Sequence, residues 1–340
     1  MHIGYNCRIM DNNHLHVALA SDQNYAEFVA VVIVSLFDTN HWQDFTTVHL
    51  LSNGIDEATI EKLRQHVPDG RGELKVYDIH SLKDDLGIDV PSTIAITAYG
   101  RLFLPIIISE DVDRVLYLDC DVVVHDSVRD FYQVRFNERW VAGVRDTLYS
   151  EYTKTVVGMA PSDEYLNSGV LLINLEAWRE NNVTQQCLDF LLDHDGKVVH
   201  HDQGIINGVC NHHKLVVHPK FNATTSYFSH SFSLLARHNS PFYSQQEVDD
   251  AKSSPAVIHF TEGFFNRPWI ENSLHPLRDV FIHYHSMTQW SDAPMRADRR
   301  SIATKIIAWS FLNLPYWGHA LVNKMISILS KVSFIRRIGH

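Results

Sequence analysis

The tripeptide Asp119-Cys120-Asp121 follows directly on the apolar run VLYL and precedes VVV. Residues two apart on an extended chain point the same way, so both carboxylates can be aimed at one hard cation. Two acids beside a buried strand are costly without a counter-charge, which a divalent metal supplies. The competing reading is a solvated strand end. A third ligand must come from elsewhere. His259 closes another apolar run, AVIHF. One imidazole with two carboxylates suits manganese better than a zinc-only or calcium-only site. By itself, such a histidine is more often a satisfied structural residue.

The elements that position these groups follow from hydrophobic periodicity. Runs at 15–21, 46–52 and 74–79 read as strands, and 26–36 and 56–67 as helices. This alternation argues for a parallel sheet with helices on both faces, as in a nucleotide-binding α/β half. Further strands are predicted over 113–128 and 140–146 and in KLVVHPK and PAVIHF, with a strand turning into a helix over 168–179. Helices are predicted over 98–108, 183–194 and 202–211. From 296 onward the pattern is mostly helical, broken near Pro315, and amphipathic. Neither a dinucleotide glycine fingerprint nor GxxxxGK[ST] is present, so other groups must hold any diphosphate.

The 340 residues are 45% hydrophobic and carry a formal net charge of -11, which excludes a disordered chain and a generic nucleic-acid binder. Residues 291–340 carry eight basic and two acidic side chains, so a +6 tail follows a -17 body. Four cysteines without a CxxC pair read as isolated reduced thiols. No stretch reaches 18 uninterrupted apolar residues and no signal peptide opens the chain, so a cytoplasmic protein is the expectation.

Several segments in register resemble one family. They are ALASDQNY (18–25), TAYGRL with Arg101, RVLYLDCDVVV (114–124), YLNSGVLLINLEAW (165–178), HDQGIING (201–208), KFN (220–222) and HFTEGFFNRPW (259–269). The chain is similar to the retaining glycosyltransferases of family 8, among them bacterial lipopolysaccharide galactosyl- and glucosyltransferases. The resemblance implies a GT-A type α/β fold, a Rossmann-like mixed sheet flanked by helices, with a helical C-terminal extension. It divides the chain into a catalytic domain, 14–285, and a basic, aromatic-rich tail, 286–340.

The same resemblance implies a UDP-sugar donor and manganese, with magnesium as a substitute, held by Asp119, Asp121 and His259. Ala20, Ser21, Asp22, Asn24 and Tyr25 match the nucleoside pocket, although Asp22 and Asn24 could instead be helix caps. Arg101 matches a contact to diphosphate and sugar; the alternative is a surface arginine. Cys120 falls within the metal tripeptide. Asn167, Ser168, Gly169, Asp202 and Gln203 match the sugar-binding wall, against a turn role for Asn167 and N-capping for Asp202. Gly169 would permit close backbone approach. Asp146 matches an acceptor-side acid or a plain strand end. Arg101, Asp202 and Gln203 are the candidate catalytic residues.

Two departures stand out. Arg267 lies eight residues beyond His259, where the family motif HxxGxxKPW spaces its basic residue by six, so the segment holding Gly263 must bulge. Gly204 replaces the second acid of the family's Asp-Gln-Asp, removing the obvious carboxylate for a double displacement. The implied activity is hexosyl transfer from UDP-glucose or UDP-galactose to a saccharide or lipid-linked glycan. The expected partners are these sugars, no nucleic acid, a membrane surface at the tail and a second copy of the chain. The alternatives are a UDP-sugar hydrolase and a non-catalytic UDP-sugar-binding protein.

Overall fold

The computed structural model describes residues 13–79, 99–147, 151–238, 241–261, 265–315, 318, 321–322 and 324–325. Its strands are β1 (His14–Asp22), β2 (Phe45–Asn53), β3 (Gly72–Asp78), β4 (Arg114–Leu118), β5 (Val122–Val124), β6 (Val141–Arg145), β7 (Leu166–Asn174), β8 (Lys214–Val216), β9 (Ala223–Thr224) and β10 (Val257–His259). Seven of them form one sheet in the order β3-β2-β1-β4-β7-β6-β8; the other three form a small sheet, β5-β10-β9.

The first four strands of the large sheet run parallel. The purely parallel arrangement read from the alternation does not extend further. β7 runs antiparallel to both β4 and β6, so the sheet is mixed. A parallel partner for β4 would need a crossover, whereas β7 follows β6 in the chain and pairs with both β6 and β4 in the antiparallel sense.

Alternation along each strand divides its side chains between two cores. Leu15, Val17 and Leu19 join α1 (Ala26–Thr39) and the small sheet on one face. Ala18, Ala20, Val115 and Tyr117 join Trp178, Cys187 and Ile205 on the other. Those three belong to α2 (Leu175–Glu180), α3 (Val183–Asp193) and α4 (His201–Val209). Helix α1, predicted over 26–36, is buried on almost every side because it is packed between both sheets, which is why its sequence lacks a polar face. The helix predicted over 98–108 is, where described, a 3-10 turn, Gly100–Phe103, running into a short helix, Leu104–Ile107.

After the helix Arg278–Ser286 the chain touches earlier segments again, the Gln289 N–H donating to His66 and Arg296 to the Asn24 carbonyl. It continues as α5 (Ile302–Asn313), ended by Leu314 and Pro315. Among the described residues no helix is long and apolar enough to cross a membrane. Cys120, Cys187 and Cys210 are buried free thiols.

Candidate metal and donor site

The chain leaves the large sheet at Leu118, turns through 119–121, and enters the small sheet at Val122. The Asp119-Cys120-Asp121 tripeptide is therefore the joint between the sheets. Its carboxylates converge across a turn rather than along one face of a pleat, as the sequence suggested. Strand β10 brings the third group. It pairs antiparallel with β5, placing His259 opposite Val122, and the Phe260 N–H donates to the Asp121 carbonyl at 2.9 Å. His259 Nε2 then lies 3.1 Å from Asp121 Oδ1. One ligand atom from each of Asp119, Asp121 and His259 falls within 4.8 Å of the others.

These groups fit a divalent cation. Asp119 uses Oδ1 for Arg101 at 2.8 Å and for the Tyr117 hydroxyl at 3.0 Å. Its Oδ2 faces the backbone of Gly169, where a Cβ would stand only 2.7 Å away. Two hard oxygens and an imidazole are a donor set better suited to manganese than to magnesium, which prefers oxygen donors alone. Burial alone would raise the Asp121 carboxyl. The charge and hydrogen bond of His259, with Arg267 at 3.2 Å, outweigh burial and hold it below the usual range. Burial would likewise lower His259, but the Asp121 charge and hydrogen bond raise it.

Arg101 is no surface residue; it is 5% exposed. Its guanidinium lies 4.1 Å from the centre of the Tyr117 ring and donates to the Ser168 carbonyl. Its Nε is 3.1 Å from Asp202 Oδ2, an ionic contact without hydrogen-bond alignment. Both atoms are buried and otherwise unpartnered. Buried polar atoms without a hydrogen-bond partner are uncommon, and here they lie beside the candidate cation cluster. Burial raises the Asp202 carboxyl, with Arg101 opposing it. Burial also acts to lower Arg101, but Asp119 and Asp202 raise it.

Asp202 is not the N-cap of α4; His200 occupies that position. Asn167 lies within β7 rather than in a turn, and its Oδ1 accepts the Gly169 N–H at 3.0 Å. Gln203 accepts the Ser168 N–H at 3.0 Å and donates to Asp146 Oδ2 at 2.8 Å. Asp146, the residue after β6, is thus a buried strand end that accepts the Gln203 amide.

Ala20, Ser21 and Asp22 close the carboxyl end of β1, and Asn24 and Tyr25 lie in the 3-10 turn that follows it. Asp22 does cap a turn: its Oδ1 accepts the N–H groups of Asn24 at 2.9 Å and Tyr25 at 3.2 Å. The side chain of Asn24 is exposed. Ser21 is buried, its hydroxyl on the Asp22 carbonyl. Cys120 donates its thiol to the Ala20 carbonyl at 3.2 Å, tying the metal turn to this loop. Arg267 joins the two halves through Asp121 and the Tyr25 hydroxyl at 3.4 Å. Gly263 lies outside the described residues.

Three contributors carried no role in the sequence reading. Tyr117 sits two residues before Asp119 on one strand face, so alternation could have found it. Asn222 holds His259 Nδ1 at 2.9 Å from 37 positions away. Arg296, from the C-terminal part, donates to the Asn24 carbonyl at 2.6 Å and pairs with Glu27. It helps line a cleft of about 710 Å³ beside Asn24, with Asn266, Ile270 and Asp298.

Comparison with known proteins agrees with this arrangement. The profile of Glycosyl transferase family 8 matches residues 16–273. General stress protein A of Bacillus subtilis is 26% identical over 280 residues, covering 82% of this chain and 95% of its own. Lipopolysaccharide 1,2-glucosyltransferase of Escherichia coli is 26% identical over 294 residues, covering 85% and 83%. A crystal structure of the galactosyltransferase LgtC with donor and acceptor sugar analogues superposes with a TM-score of 0.68 at 26% identity. It covers 81% of this chain and 96% of that one. With the family's sequence pattern spanning both sheets and the Asp-Asp-His cluster, the chain belongs to glycosyl transferase family 8.

Proposed function

We propose that this enzyme transfers glucose or galactose from its UDP-sugar to a saccharide acceptor on lipopolysaccharide or another surface glycan, with retention of configuration. The observation that carries this reading is the convergence of Asp119, Asp121 and His259 beside the buried Arg101–Asp202 pair. When bound there, a divalent cation supplies Lewis-acid neutralisation of the donor diphosphate. Arg267 adds a fixed cationic fork beside Asp121 for the same charge. The loop 20–25 receives the nucleoside. Asp202 accepts sugar hydroxyls while Arg101 holds its carboxylate in place. Gln203 stands at the reacting end, its Oε1 keeping a second lone pair for positive charge developing on the sugar.

In this scheme the sugar–phosphate C–O bond breaks as the acceptor oxygen bonds the anomeric carbon on the same face. The acceptor proton passes to the departing diphosphate. Gly204 leaves no carboxylate at its position for a covalent intermediate.

The division into a catalytic domain, 14–285, and a tail, 286–340, belongs to the same proposal. So does cytoplasmic location at the inner face of the membrane. Ile302, Ile306 and Trp309 are exposed on α5 beside Lys305, a combination suited to an anionic lipid surface. Sedimentation with anionic vesicles, comparing wild type with I306D/W309D, tests this; equal binding refutes it.

The decisive test of the activity is UDP release from a panel of UDP-sugars with Mn2+, with and without a lipooligosaccharide extract. Acceptor-dependent release with UDP-glucose or UDP-galactose is expected. Full release without acceptor would make the protein a hydrolase, and UDP binding without release a binding protein.

A further inference from the structure

A chain of buried amide groups joins the metal cluster to the sugar wall, and two consecutive backbone N–H groups fix its polarity. The Gly169 N–H donates to Asn167 Oδ1 at 3.0 Å, so that atom must be the carbonyl oxygen. Asn222 approaches the same oxygen at 2.8 Å, and only its NH2 end can stand there. Its carbonyl oxygen then faces His259 Nδ1 at 2.9 Å, which places a proton on Nδ1. Nε2, the nitrogen 3.1 Å from Asp121 Oδ1, is thereby the one that faces the candidate cation site.

The other end is fixed in the same way. The Ser168 N–H donates to Gln203 Oε1 at 3.0 Å, turning the NH2 of Gln203 to Asp146 at 2.8 Å. The second oxygen of Asp146 accepts the Thr147 N–H at 2.7 Å and lies 3.5 Å from Asn167 Nδ2. Asn222, Asn167, Asp146, Gln203 and His259 are each no more than 9% exposed, so water does not offer easy substitutes.

We propose that Asn222 is a positioning residue with two separable tasks. Its carbonyl holds His259 in the Nδ1-protonated form that presents Nε2 to the metal. Its NH2 holds Asn167 and, through Asp146, the orientation of Gln203. Outer groups of this kind set metal affinity by orienting the ligand. The inference rests on the cation-site reading of Asp119, Asp121 and His259 but not on the identity of the sugar.

The two tasks separate in two variants. N222A removes both and N222D keeps only the acceptor facing His259. Mn2+ binding, followed by electron paramagnetic resonance without donor, should weaken about 10- to 100-fold in N222A and stay within about threefold of wild type in N222D. Turnover should fall in both, because the aspartate sets oxygen against oxygen at Asn167. Wild-type Mn2+ affinity in N222A, or an equal loss in N222D, overturns the proposal. A measurement on the unaltered protein guards against a folding defect. With Zn2+ as a diamagnetic probe, long-range proton–nitrogen NMR should show His259 protonated on Nδ1. A proton-free Nδ1 overturns the assignment. The binding and NMR readings stand even if no UDP-sugar is turned over, so failure of the relay and failure of the transferase reading remain distinguishable.

Discussion

Gly169 and His259 face each other so closely that no side chain fits between them: a Cβ on residue 169 would collide with the imidazole Cε1. It would also press on Asp119 Oδ2. The backbone of β7 thus forms the floor under two of the three proposed ligands. Its Gly169 carbonyl simultaneously accepts the Asp119 N–H at 2.7 Å.

Substituting Gly169→Ala should therefore displace His259 and Asp119 together. Mn2+ affinity and turnover should both fall, each by about tenfold or more, with a stability loss of about 1–3 kcal/mol from overpacking. Isothermal titration with Mn2+ and a urea melt separate the two effects. Unchanged Mn2+ affinity would show that the floor does not set ligand positions.

Arg101→Lys should be far from conservative. A lysine cannot span Asp119 and Asp202 while lying over Tyr117, so it leaves buried carboxylate oxygens uncompensated. Breaking a buried charge pair costs about 3 kcal/mol, and turnover should fall by about 100-fold or more. Chemical denaturation and initial rates check this; retention of stability would place the arginine outside the buried network.

Restoring an acid at position 204 should harm rather than help. A Cβ there collides with the Val199 carbonyl and stands 2.8 Å from a methyl group of Val198. The preceding residues His200 and His201 already hold positive φ angles of 59° and 51°, so the loop has little freedom to withdraw. Gly204→Asp and Gly204→Ala should lose turnover to a similar extent. A gain in the aspartate variant alone would revive a covalent route.

Chelation should abolish turnover without unfolding the chain. Each carboxylate already has a protein counter-charge, Arg101 for Asp119 and His259 with Arg267 for Asp121. Near-ultraviolet circular dichroism should persist in chelator, and Mn2+ should restore activity. Loss of the tertiary signal would make the cation structural.

Acid sensitivity should arise away from the site, on β1, β2 and β3. His16 Nδ1 lies 3.1 Å from His49 Nε2, and His49 Nδ1 lies 3.0 Å from the Tyr77 hydroxyl. Burial lowers His16 from 6.5 to about 4 and His49 to about 3; His14 and Lys75 push His16 the same way, while Asp111 and Glu73 oppose. The unfolded chain then takes up protons below pH 6.5 that the folded chain refuses. Stability falls as pH drops through 6 and 5, by about 1 kcal/mol per unit for each histidine. The H16Q/H49Q double variant should flatten urea midpoints between pH 6.5 and 4.5, whatever its stability at neutral pH. An unchanged slope would assign the acid response to other groups.

Periodicity and local motifs disclosed a large part of this protein. The apolar runs located β1, β2, β4 and β7 because each must bury side chains on both faces of a sheet. The types and spacing of Asp119, Asp121 and His259 pointed to a candidate cation cluster, and the folded chain does bring the three together, with Arg101, His259 and Arg267 as counter-charges. Other features depended on the folded chain. The antiparallel entry of β7, the register that sets His259 opposite Val122, and the convergence of two carboxylates across a turn are pairings between distant segments. The same holds for Asn222 beneath His259 and for Arg296 against Asn24. A sequence records which groups are costly to bury. Which partner meets that cost is decided only when strands far apart in the chain take their register.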